Sequence, residues 1–401
     1  MGQIQNLKGF RDYLPDEAKK RAWLKNRMIT VVEKWGYEPM ETPTLEPLEL
    51  FTGQIGDDEK LFYMFKDQGG RDVALRYDQT VPTCRVLGQY FDRLIFPFRR
   101  YQIQPAFRAE KPQKGRLREF TQFDIDIFGV ASESADAEAI AVSLDVYLSL
   151  GFKNVKIIVN DRRLMSDIPY PAIVAIDKLK KIGAENVLAE MTTKGIEKSQ
   201  AKKYLEYVRN LKPSNSINII FSYLKNYGFN RSNFQFEPTL ARSFSYSEGP
   251  IWEITIPEYE AGSVGGGERY DSMIKRISDQ DIPGTGIAFG FDRTLEALTV
   301  MDLISYTDSP VKVMISVFNP DLWFQSVKTS SYLRRTGIGC ELYPDPEVKL
   351  DKQLRYANRK NIPYVIIQGP DEMSRNTILL KNMKNGEQTE IPTEKLSDYL
   401  I

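Results

Sequence analysis

Apolar residues recur at helical spacing at Leu24, Met28, Val31, Val32 and Trp35, so residues 16–35 are expected to form an amphipathic helix. Asp16 can cap it and Gly36 can end it. Prolines at 39 and 43 then forbid regular helix. After them the period changes. Val73–Tyr77 reads as a strand, and Arg99–Arg108 and Phe120–Phe128 alternate as two strands of a hairpin. A basic loop, KPQKGRLR (111–118), joins them. Residues 133–150 return to helix through Ala139, Ile140, Val142, Leu144, Val146 and Leu148, and Lys156–Val159 is a further strand.

From about 162 to 233 the chain is helical and rich in Lys and Glu. Ile176, Leu179 and Ile182 mark a helix ending at Gly183, and Tyr204, Leu205, Val208 and Leu211 mark another. Strands resume at Phe234 and at 250–256; a glycine cluster at 262–267, strand Gly286–Phe289 and helix Phe291–Leu298 follow. Beyond LISYTDSP (303–310) strands at 311–317, 339–343 and 363–367 alternate with helices at 320–336 and 348–361, before strands near 377–381 and 387–391. Such alternation implies parallel pairing. The expected fold is α+β: an antiparallel domain over 1–305 with a helical insertion at about 162–233, then an α/β domain over 311–401.

Fifty-four basic residues balance fifty-four acidic ones, so a general polycation is excluded and any nucleic acid must meet local basic patches. No apolar run is long enough to span a membrane, and MGQIQNLKGFRDYLP is no secretory signal. Cys84 and Cys340 fit a reducing cytoplasm as buried thiols. The chain contains no histidine, which rules out any mechanism using the protein's own imidazole, including His-ligated metal. Its chemistry must come from carboxylates, arginines, hydroxyls or the substrate.

The charged residues of the hairpin share faces. Arg108 and Glu110 lie two apart, as do Gln122, Asp124 and Asp126. A sheet face carrying these groups is either a solvated polar surface or a site for something charged, because buried charge must be paired.

FRAEKPQKGRLREFTQFDIDIFG (107–129) closely resembles motif 2 of class II aminoacyl-tRNA synthetases, in the form found in histidyl-tRNA synthetases. KGFRDYLP (8–15) resembles that family's opening signature. GYEPMETPTLEPLELF (36–51) resembles motif 1, with Pro43 as its proline, and ALRYDQTVPTCR (74–85) resembles the amino-acid-binding turn. VNDRRLM (159–165) resembles the lead into the family's helical insertion, GSVGGGERYD (262–271) a histidine-specific motif, and GTGIAFGFDRTLEAL (284–298) motif 3. The tail resembles an anticodon-binding domain.

The resemblance implies a cytoplasmic, homodimeric ATP-dependent ligase that activates histidine, with ATP and Mg²⁺, and charges tRNA. It implies that Arg108 and Arg242 meet the α-phosphate, Arg293 the γ-phosphate and Glu110 the adenine, with Arg116 and Arg118 on ATP or the tRNA acceptor end. Planar, permanently charged guanidiniums suit phosphate oxygens. It implies Asp78, Thr80 and Gln122 on the amino acid, Asp126 at the imidazole edge, and Tyr246, Ser247, Glu268 and Tyr270 around it. Lys352, Arg355 and Arg359, on one helix face, are candidate tRNA contacts.

Two departures stand out. ARSFSYSEGPIWE (241–253) has Ser247 where the family has a tyrosine, and Glu268 stands at a glycine position. A repacked histidine pocket, another amino acid or a histidine analogue with a longer or cationic side chain, a synthetase paralogue that does not aminoacylate, and a non-enzymatic tRNA- or nucleotide-binding protein are the readings this leaves.

Overall fold

The computed structural model describes residues 4–53, 62–110, 117–242, 246–305 and 311–400. The chain divides into two compact units, Met1–Ile304 and Ser305–Ile401.

The first unit is built on an eight-stranded sheet. Its strands along the chain are β1 (Glu38–Pro39), β2 (Phe98–Phe107), β3 (Glu119–Phe128), β4 (Lys156–Asp161), β5 (Phe234–Phe236), β6 (Pro250–Thr255), β7 (Gly265–Arg269) and β8 (Gly284–Gly290). Their order is β1-β2-β3-β8-β7-β6-β4-β5. The central pairs are antiparallel, and β1 with β2 and β4 with β5 are parallel. One face is apolar. Phe123, Ile125 and Ile127 of β3, Trp252 and Ile254 of β6, and Ile287 and Phe289 of β8 enter a single core. The helices Pro15–Lys34 and Glu133–Ser149 contribute Leu24, Met28, Ile140, Leu144 and Tyr147 to it. Because side chains alternate on a strand, the intervening residues emerge on the opposite face.

The first helix begins at Pro15, with Leu14 as its cap and no side-chain cap bond. Asp16 is therefore not the cap. Proline is pre-organised for the first helical position, and Asp16 lies in the first turn, where the helix dipole favours an acid. The glycine cluster is not a loop throughout: Gly265–Gly267 belong to β7 in the middle of the sheet. Glycine fits there because a Cβ on Gly267 would stand 2.3 Å from the Trp252 ring.

The insertion holds four helices, Tyr170–Ile176, Leu179–Thr193, Lys198–Arg209 and Asn215–Asn226. Gly183, at φ +78° and ψ 167°, is non-helical and divides the second of these, so the turn carrying Leu179 and Ile182 ends there as the sequence predicts. The first three share their own core, including Ile173, Ile176, Val187, Met191 and Val208. The fourth returns Ile217, Ile220 and Leu224 to the main core.

A small sheet, ordered Leu45–Pro47, Asp72–Leu75, Met64–Lys66, flanks the unit. Arg76, wholly buried, ties it to the large sheet. Its guanidinium donates to the Pro105 carbonyl at 2.6 Å, the Thr42 carbonyl at 2.9 Å and Gln104 Oε1 at 2.7 Å. That lattice positions the turn carrying Asp78 and Thr80 against β2.

The second unit is a five-stranded sheet, in order Cys340–Leu342, Val313–Ile315, Tyr364–Ile367, Thr377–Asn382, Gln388–Pro392. The first three strands are parallel, as the alternation implies, and the last two run antiparallel. Helices Trp323–Arg335 and Leu350–Arg359 make the crossovers. Two short helices, Pro370–Arg375 and Leu396–Leu400, carry too few apolar positions for periodicity to mark them.

Candidate active site

The polar face of the large sheet is the floor of the site, and register sets its rows. Asp126 lies between Arg100 and Gly286, Asp124 between Gln102 and Ala288, and Gln122 between Gln104 and Gly290. Across β8, Gly266 stands opposite Ala288 and Glu268 opposite Gly286. The strands β8 and β7 thus present almost no side chain along the middle of the floor, leaving a trough. A Cβ on Gly286 would lie 2.0 Å from Asp126 Oδ1, and one on Gly266 would lie 1.7 Å from Arg242 Nη1.

Two adjoining cavities occupy this trough. The outer groove is lined by Arg108, Glu110, Phe120, Gly290 and Arg293 among others. Arg108 lies over the Tyr77 ring at 4.4 Å and the Phe120 ring at 4.9 Å. Such contacts hold the guanidinium by cation–π attraction. Arg293 sits in the first turn of helix Phe291–Val300 and donates to the Ser263 carbonyl at 2.9 Å. The inner cavity is lined by Asp78, Thr80, Asp126, Tyr246, Glu268 and Tyr270, with Asp124 on its floor. Arg108, Gln122, Arg242, Gly266 and Ala288 line both.

The inner cavity is dominated by buried charge. Arg100 has no exposed surface and pairs with Asp126 at 2.6 Å. Tyr270 donates its hydroxyl to the same carboxylate. Burial raises the Asp126 pKa, against the pull of Arg100 and that hydrogen bond. Asp78 accepts the Val81 N–H at 3.1 Å, and burial raises its pKa too. Arg242, at φ +43°, pairs with Glu268 at 3.2 Å, and Ser247 donates its hydroxyl to Glu268. Asp124 is 2% exposed, and neither of its oxygens has a hydrogen-bond partner among the described residues. Burial, with Asp126 and Asp78 nearby, holds its pKa well above the ordinary carboxylate value.

Most of the residues expected on ATP or the amino acid converge on these cavities. Three do not. Arg118 donates to the carbonyls of Glu110 at 3.0 Å and Lys8 at 3.2 Å, tying the hairpin to the N-terminal segment rather than lining the groove. Arg116 lies outside the described residues. Ser247 stands behind Glu268 and lines a neighbouring cavity with Arg162, Glu248 and Arg269. Its small side chain reaches the site only through Glu268.

Arg100 and Asp124 were not among the expected site residues. The alternation Arg100, Gln102, Gln104, set against Gln122, Asp124, Asp126, carries the signal. Polar residues at every second position of both hairpin strands put one polar face on the sheet. In the second unit, Lys352, Arg355 and Arg359 are all exposed on helix Leu350–Arg359, but Arg355 is paired with Asp351.

Comparison with known proteins converges on one family. A family model described as histidyl-tRNA synthetase matches residues 9–201, and one described as anticodon binding domain matches residues 312–401. The histidine–tRNA ligase of Cytophaga hutchinsonii is 33% identical, over 98% of this chain and 98% of that protein. That of Rhodopirellula baltica is 34% identical, over 98% of this chain and 96% of its own length. The crystal structure of histidyl-tRNA synthetase from Nostoc sp. PCC 7120 superposes with a TM-score of 0.84 at 25% identity, covering 100% of this chain and 99% of that one.

The unpartnered carboxylate of Asp124 makes a stability prediction. A group with a raised folded pKa keeps its proton longer when folded, so stability falls as pH rises from the unfolded pKa through the folded one. Asp124→Asn is expected to match the parent chain below about pH 4 and to exceed it by about 1–3 kcal/mol at about pH 7. Thermal melts across that range check it. A variant less stable at neutral pH would show that the carboxylate is partnered.

Proposed function

Because the chain belongs to the histidyl-tRNA synthetase family, we propose that it activates histidine with ATP and transfers the histidyl group to the 3′ end of histidine tRNA. The observation that carries this reading is the pair of adjoining cavities sharing Arg108, Gln122, Arg242, Gly266 and Ala288. The outer groove suits a nucleotide and the inner cavity a small amino acid. Their shared wall is where a carboxylate must meet the α-phosphate.

In that arrangement a histidine carboxylate oxygen attacks the α-phosphorus, and pyrophosphate leaves with the electrons of the broken P–O bond. A ribose hydroxyl at the tRNA terminus then attacks the acyl carbon, and AMP leaves. The attacking carboxylate is already ionised, so the first step needs no protein base, which is consistent with a chain lacking histidine. Arg108 and Arg242, lining both cavities, would stabilise charge that builds on the α-phosphate. Arg293 would meet the far phosphate and Glu110 the adenine; Arg116 and Arg118 are left with the tRNA end. Asp78, with Thr80 and Gln122 beside it, would hold the ammonium group. Asp126, Tyr246 and Tyr270 would bound the side chain, with Ser247 acting through Glu268.

No group of three or more acidic, Cys or His side chains that could hold a metal occurs among the described residues. Mg²⁺, where it takes part, would be held chiefly by the nucleotide's phosphates, as is usual for this ion. A cytoplasmic location follows from the reaction. A homodimer is also proposed: Leu45, Met64 and Phe65 stay exposed on the small sheet beside the 36–51 segment, a surface a second copy would cover.

Three measurements test these assignments. ATP–pyrophosphate exchange with each amino acid in turn should respond to histidine, and Arg108→Ala should lower its rate about 10²–10³-fold. Exchange with another amino acid alone would overturn the substrate. Lys352→Ala with Arg359→Ala should raise the KM for tRNA about tenfold, reduce its salt dependence, and leave exchange unchanged. An unaltered tRNA KM would remove that helix from the interface. Sedimentation should give twice the chain mass, with Phe65→Glu shifting it toward monomer.

A further inference from the structure

The inner cavity carries more negative charge than a zwitterionic amino acid with a neutral side chain can answer. Its charged groups are four carboxylates, Asp78, Asp124, Asp126 and Glu268, against Arg108 and Arg242 in the lining and Arg100 behind it. Two pairs are internal: Arg100 with Asp126 at 2.6 Å, and Arg242 with Glu268 at 3.2 Å. That leaves Asp78, Asp124 and Arg108. The ammonium of a bound amino acid answers Asp78, and its carboxylate answers Arg108. Asp124 still lacks a counter-charge.

Position says which part of the substrate reaches it. The reacting carboxylate must lie at the wall shared with the outer groove, beside Arg108, Gln122, Arg242 and Ala288. Asp124 lines the inner cavity alone, one two-residue step further along β3 from Gln122. Such a step is about 6.6 Å, enough to pass from the backbone end of a small amino acid to its side chain. At that depth Asp126 is occupied by Arg100 and Tyr270. Asp124 is the acid left to meet the ring.

Resting on the histidine-ligase reading, we propose that Asp124 is the counter-ion of the substrate side chain and that histidine is bound as the imidazolium cation. The groups facing Asp124 allow this. Arg100 and Arg108 from β2 and its end favour its carboxylate form, while Asp126 on β3 and Asp78 on the turn before helix Thr80–Gln89 disfavour it. Arg76 beneath that turn senses its charge. Glu268, Arg242, Tyr246 and Tyr270 complete the wall, and β8 offers only the uncharged Gly286, Ile287 and Ala288. In the empty cavity burial, with Asp126 and Asp78 nearby, lifts the pKa of Asp124. An arriving cation reverses that cost, because an opposite charge in a dry site stabilises the ionised acid. The same pairing raises the imidazole pKa, and the proton stays on the ring.

The test is ¹⁵N NMR of ring-labelled histidine bound to the full chain at about pH 8, where free imidazole, of pKa about 6.5, is neutral. It is paired with ATP–pyrophosphate exchange on the same protein. The expected result is active exchange with both ring nitrogens protonated. Asp124→Asn is expected to return the ring to its neutral form and to raise the KM for histidine about tenfold or more, with kcat little changed. A neutral ring on the parent chain with normal exchange would overturn this proposal and leave the ligase standing. So would an imidazolium that persists in Asp124→Asn. No exchange with histidine at all would remove the ligase reading and the proposal with it.

Discussion

The polar floor of the large sheet depends on the pairing of Arg100 with Asp126. A fully buried guanidinium costs several kcal/mol in lost hydration unless a carboxylate answers it. Here the answering group lies directly across the hairpin at 2.6 Å, and Tyr270 fixes its orientation. Removing either partner would strand the other, a change typically worth about 3–5 kcal/mol. The pair also locks register. A one-residue slip would turn Asp124 and Asp126 toward Phe289 and Tyr147, and Phe123 and Ile125 toward the substrate cavity. One ion pair and one apolar core therefore specify the same alignment from opposite faces.

The trough works because its central strands have given up every large side chain but Glu268 on one face. Gly266, Gly286, Ala288 and Gly290 would normally weaken a sheet, since glycine loses more freedom on folding and packs nothing. Their strands are held on the other face by Val264, Ile287 and Phe289, and by neighbours on both edges. The sheet is thus stabilised on its helical side and left empty where ligand must lie. The reciprocal fit of Arg242 into the space over Gly266 shows how closely the two requirements meet.

Much of this was legible in the chain. The hairpin strands, the helix after them and the parallel start of the second unit follow from periodicity alone, because each has an apolar face of several residues. The two short helices near the C-terminus and the strand identity of Gly265–Gly267 do not, because glycine carries no periodic signal and tertiary pairing decides the conformation. The break at Gly183 was legible, because a glycine at positive φ stops the helical turn that Leu179 and Ile182 begin. At the site, Arg108, Gln122, Asp126, Arg293 and Tyr270 all line the two cavities. Arg118 does not line them, because it is held by the Glu110 carbonyl and by that of Lys8, which lies 110 residues away in the chain.

Ser247 and Glu268, the two departures from the family's pattern, are one feature and not two. A carboxylate placed at a glycine position beside a substrate cavity is costly unless its oxygens are met. One oxygen of Glu268 meets Arg242 and the other accepts the Ser247 hydroxyl. The two side chains are therefore coupled through one carboxylate. A glycine at 268 would remove the carboxylate that Arg242 and Ser247 share. Together Ser247 and Glu268 rebuild the wall between the inner cavity and the neighbouring one that Ser247 lines. The rebuilt wall is anionic but internally satisfied. The charge that selects the substrate then falls to the carboxylate that has no internal partner, which is Asp124 on the floor.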